Sequence, residues 1–142
     1  MSSASLRLVI AIVPLLVILP ALGGARCAGT AVKEVQSLSA LPSELRRLLP
    51  KQPQGLDGIA DRGERFNVTD VVVRDLRMRR FTLAAIGDNC VVIAIERGGR
   101  GHYFELTEYR LIEGSWRSID DAKVEKEPTS IDDLLNSLGW PK

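Results

Sequence analysis

Histidine, cysteine and aromatic residues are all scarce in this 142-residue chain, and each shortage removes a class of function. His102 is the only imidazole and no G-x-S-x-G elbow occurs, so a hydrolase triad has no base and no positioned serine. Two Cys and one His cannot complete a four-ligand zinc site without carboxylates. Two Cys are also too few for the dense disulfide framework of very small secreted domains. The 19 Lys+Arg against 18 Asp+Glu leave a net charge of +1, which gives no footprint for nucleic acid or anionic lipid. No Walker spacing is present, and Asp57–Asp61 lacks the alternating ligands and closing Glu of a calcium loop. No cofactor is expected. The length suits one domain.

What the sequence has in excess stands at its start. Residues 1–25 hold one charge, Arg7, and every residue from Leu8 to Leu22 is aliphatic, Ala or Pro. A basic start, an apolar run and small residues at Gly23 and Ala25 read as a secretory signal cleaved after Ala25. The run is short for a membrane helix and contains Pro14, so an uncleaved anchor is the alternative; only then would the protein meet a membrane. The expectation is an exported protein, secreted or periplasmic.

Residues 26–58 read as a tether with a short helix over 41–49, where Leu41, Leu45 and Leu48 form one stripe and Pro50 stops the turn. Residues 59–142 read as one α+β domain. Phe81–Ile86, Cys90–Ile95, His102–Ile112 and Trp116–Ile119 are strands separated by three short turns, which describes an antiparallel meander. Val68–Val73 is expected as a further strand, with a short helix as the alternative. Cys90–Ile95 is apolar at every position, so it needs cover on both faces and belongs in the middle of the sheet. Thr129 or Ser130 caps a last helix carrying Ile131, Leu134, Leu135 and Leu138 on one face, and Gly139 ends it. The fold class is therefore α+β: an antiparallel meander of four or five strands with a C-terminal helix and a short N-terminal helix packed on it. That arrangement resembles the cystatin-like and nuclear-transport-factor-like folds in architecture, and the resemblance carries no residue across.

Three features hold functional interest. The Gly-rich turn Arg97-Gly-Gly-Arg-Gly-His102 offers backbone N–H groups beside two guanidinium forks, so Arg97, Arg100 and His102 are the candidate ligand-binding residues for a small anion or a protein partner. Cys27 and Cys90, if exported together, are a candidate disulfide. Asn67-Val-Thr69 is a glycosylation sequon. With no catalytic set in view, the expected function is a small exported, non-catalytic binding or inhibitory module, able to pair with a second copy of itself. The alternatives are a cone-shaped α+β enzyme whose pocket uses Glu105, Tyr103, Tyr109 and an Arg, and a membrane-tethered accessory subunit.

Overall fold

A computed structural model describes Cys27, residues 31–49 and residues 58–139. The signal expected at 1–25 and, within the expected tether, residues 26, 28–30 and 50–57 lie outside the described residues. Five strands, β1 (Lys33–Val35), β2 (Arg79–Ile86), β3 (Cys90–Arg97), β4 (Tyr103–Ile112) and β5 (Ser115–Val124), form one sheet in the order β1-β2-β3-β4-β5. All four pairings are antiparallel, so the chain is a meander with β3 at its centre. Two helices complete an α+β fold: α1 (Ser43–Leu48) and α2 (Ile131–Ser137). Among the described residues no helix is long and apolar enough to cross a membrane.

The turns follow from their residues. Glu113 and Gly114 both take positive φ, 50° and 75°, the two-residue geometry whose twist matches that of the flanking strands β4 and β5. At the β2–β3 turn the Gly87 N–H donates to the Cys90 carbonyl at 2.8 Å. Ser130 is the α2 cap: its hydroxyl accepts from the Asp133 N–H at 3.2 Å. Thr129 takes a different part, its hydroxyl donating to the Asp133 carboxylate at 2.7 Å.

As its composition requires, β3 is buried on both sides from Cys90 to Ile95. On one face Leu83, Val92, Ala94 and Leu106 meet Leu134 of α2, and Cys27 is bonded to Cys90 there, 63 residues away in sequence. On the other face Phe81, Ala84, Val91, Ile93, Ile95 and Tyr109 share a cluster with Leu41 and Leu45. Phe81 and Ala84 reach the same face because the register shifts between Phe81 and Leu83, leaving Thr82 as the extra residue of a bulge.

Three elements differ from the sequence reading. Val68–Val73 is a loop and not a strand: its last residue, Val73, gives its N–H to the Asn67 side chain and accepts from it at its carbonyl. A five-stranded sheet is nevertheless reached, since β1 arises inside the segment read as a tether and pairs with β2. Finally, β5 runs on past Ile119 to Val124, its charged Asp120-Asp121 step being tolerated because it lies at the edge of the sheet.

Candidate functional site

The Arg97–His102 turn joins β3 to β4, and strand alternation sends its side chains to opposite faces. Arg97 lies on the α1 side, where its Nε donates to Glu105 Oε2 at 2.8 Å and its Nη2 stands 2.7 Å from the same oxygen as an ion pair. Glu96 points to the α2 side and accepts from Arg80 Nη2 at 2.6 Å, while its second oxygen stands 2.7 Å from His102 Nε2. The Arg80 guanidinium also lies 4.5 Å over the Phe66 ring. Arg97 and His102 are thus engaged by separate carboxylates across the sheet. Arg100 is exposed and enters no ion pair among the described residues.

The glycines of this turn have a structural use. The Gly98 N–H donates to the Met78 carbonyl at 3.0 Å and the Gly99 N–H to the Val68 carbonyl at 3.2 Å. A Cβ on Gly98 would stand 1.6 Å from the Asn67 carbonyl oxygen, so no other residue fits. Two of the N–H groups read as an anion cradle are therefore taken by the chain itself.

What docks on those glycines is a loop that sequence reasoning missed. Its base is closed by the Asn67 N–H donating to the Arg77 carbonyl at 2.8 Å, so residues 67–77 form a compact Ω-loop. The Asn67 side chain fills it: Nδ2 donates to the Val73 and Leu76 carbonyls at 3.0 and 2.7 Å, and Oδ1 accepts from the Val73 N–H at 2.8 Å. Around this fixed interior the valines point outward. Val68, Val71, Val72 and Val73 are 47, 75, 53 and 50% exposed. The sequence carried a signal: three consecutive valines cannot all face a core from a half-buried strand. The same geometry removes the sequon from use, because Asn67 is 3% exposed and both hydrogens of its amide are spent.

A second feature is a groove of about 480 Å³ on the α1 side. Ile93, Ile95, Thr107 and Tyr109 supply strand residues to it, Leu48 and Leu49 come from the end of the α1 segment, and Trp116, Ser118 and Asp121 come from β5. Glu105 lines it with its charge balanced by Arg97. Burial pushes the Tyr109 hydroxyl pKa up, and the Glu105 charge adds to that against the opposing effect of Arg79. Tyr109 therefore keeps its proton. Tyr103, expected beside Glu105 in such a pocket, instead stacks under the Lys123 ammonium at 5.1 Å. No group of three or more potential metal ligands occurs among the described residues. The chain matches no protein-family model, no curated protein and no solved structure.

Proposed function

We propose that this is a small exported, non-catalytic module that binds another protein through the 67–77 loop. The observation that carries the reading is the loop itself: four exposed valines on a backbone held by one buried asparagine. Exposed apolar side chains cost solubility, and a rigid convex display of them suits insertion into an apolar cleft with little ordering cost. Asp70, Arg74, Asp75 and Arg77 balance one another along the loop, which favours a protein partner over an anionic membrane or nucleic acid. An inhibitor that plugs a cleft is one form this takes.

Export is supported by the Cys27–Cys90 bond, which persists in an oxidising compartment, and by the apolar run before it. In the same reading α1 is the lasting cover of its sheet face, with Leu41 and Leu45 as anchors. Catalysis in the groove is less favoured, since Glu105 is committed to Arg97 and Tyr109 holds its proton. A membrane-tethered accessory subunit would present the same loop, and finding Met1 on a membrane-extracted species would identify it.

A photocrosslinking residue at Val71 tests the reading in the exported chain. A discrete protein adduct is expected, absent when the probe replaces Ile119, another exposed apolar residue, and lost with Val72→Asp. Equal adducts at both positions, or an adduct indifferent to Val72→Asp, would reject it.

A further inference from the structure

The two ends of the sheet are not finished alike. The outer side of β2 is taken by β1 at residues 84–86 and by Ala60 further along. The Ala60 N–H donates to the Arg79 carbonyl at 2.9 Å, and its carbonyl accepts from the Phe81 N–H at 2.8 Å. At the other end β5 is ten residues long, and no strand lies beyond it among the described residues. A long open edge is a template for a further strand.

The charges on β5 say what that strand is. Arg117 stands opposite Arg110 and Asp120 opposite Glu108, so each faces a like charge across the β4–β5 ladder, an arrangement that costs stability. The inner two are already joined to each other, Arg110 Nε donating to Glu108 Oε1 at 3.0 Å. Arg117 and Asp120 are exposed and enter no ion pair among the described residues. Three residues apart, they would fall on opposite faces of a regular strand. The register shift between Glu108 and Tyr109 leaves Ile119 as an extra residue, so both lie on the α2 face.

We propose that β5 pairs antiparallel with β5 of a second copy about a two-fold axis normal to the sheet, Arg117 of each chain lying opposite Asp120 of the other. Such an axis keeps the two α2 faces together, and the bulge lets the strand meet its own reverse in this register. Outward from the axis Trp116 meets Asp121 and Ser115 meets Ala122, each again a pair from one face. Both exposed charges gain a partner of opposite sign, and Ile119, 46% exposed, lies beside the axis. One sheet then runs through both copies.

A charged, bulged edge also serves to keep a strand solitary, and sedimentation of the exported chain separates the two. Twice the chain's mass is expected at high concentration, reverting to the chain's own mass on dilution. Arg117→Asp and Asp120→Arg should each leave a monomer, because each sets like charges opposite one another. Mixing the two variants should restore the dimer, one chain of each kind, since the acidic strand then meets the basic one; the double reversal in one chain should do the same. Both sites are exposed, so thermal melts should stay within about 0.5 kcal/mol of the parent. A chain that stays monomeric up to about 1 mM would overturn the proposal. So would a dimer indifferent to either reversal, or two variants that associate no better mixed than apart. The loop reading keeps its own readout: a probe at Ile119 joins two copies at twice the chain's mass, a species distinct from the partner adduct at Val71.

Discussion

The two faces of the sheet are closed by different means. On the α2 face a capped helix packs Leu134 among Leu83, Val92 and Leu106, and the Cys27–Cys90 bond adds a covalent tie. On the α1 face Leu41 and Leu45 do the work without a disulfide, and α1 has no side-chain cap at Pro42. A six-residue helix is about 9 Å long and 10 Å across, while five strands at about 4.8 Å spacing span roughly 19 Å. One such helix is too small to cover all five strands, and on this face a groove is lined by residues of β3, β4 and β5.

The sharpest break of this comparison is to remove the tie. Cys27→Ser should lower stability by about 4 kcal/mol, because the bond closes a long loop in the unfolded chain. Urea unfolding of oxidised and reduced protein checks it: reduction should reproduce the variant, and reduction without effect would place the stability elsewhere. Next come the two buried leucines, both 0% exposed. Leu134→Ala should cost about 3 to 5 kcal/mol, since its neighbours are fixed and cannot collapse into the cavity. Leu45→Ala should fall nearer 2 kcal/mol, because the short α1 segment can settle inward. Equal losses would mean that the faces are equally rigid.

Much of this division could be read in the sequence, because it rests on local patterns. The unbroken apolar run Cys90–Ile95 demanded a central strand, and Thr129 or Ser130 with Gly139 marked both ends of α2, Ser130 being the cap. What escaped was non-local. A three-residue strand at Lys33–Val35 carries no period and exists only because β2 offers an edge. Val68–Val73 has strand composition, yet one side-chain amide six to nine residues upstream of its partners holds it as a loop. The Arg97–His102 turn was legible as a turn, but its glycines answer to the Asn67 backbone, a contact that spacing along the chain does not encode.

Acid should loosen both faces, through different carboxylates. Burial alone would raise the Asp61 pKa, but bonds from the Leu38 N–H, the Ser37 hydroxyl and the Arg62 N–H outweigh it and hold the group below its ordinary value. These bonds tie the segment leading into α1 to residue 61. The Thr129 hydroxyl, then the Thr129 N–H, lower Asp133 at the start of α2. A depressed carboxylate contributes stability above its unfolded pKa, about 3.9, and loses it as pH falls through the folded value. Asp61→Ala and Asp133→Ala should therefore each flatten part of the acid limb of a stability-versus-pH curve, and their effects should add because the groups lie on opposite sides. Sub-additive losses would show that the two helices unfold as one unit.

The smallest expected effect separates the two arginines of the turn. Arg100 is exposed and enters no ion pair among the described residues, so Arg100→Ala should change stability by no more than about 0.5 kcal/mol. Arg97 is partly buried and pairs with Glu105 through an Nε hydrogen bond and an ion pair, so Arg97→Ala removes a partner from a half-buried carboxylate and should cost about 1 kcal/mol. The loss should shrink in high salt, as a partly screened pair requires. Thermal melts at low and high salt read both variants, and equal losses for Arg100→Ala and Arg97→Ala would show that the Arg97–Glu105 pair adds nothing to the fold.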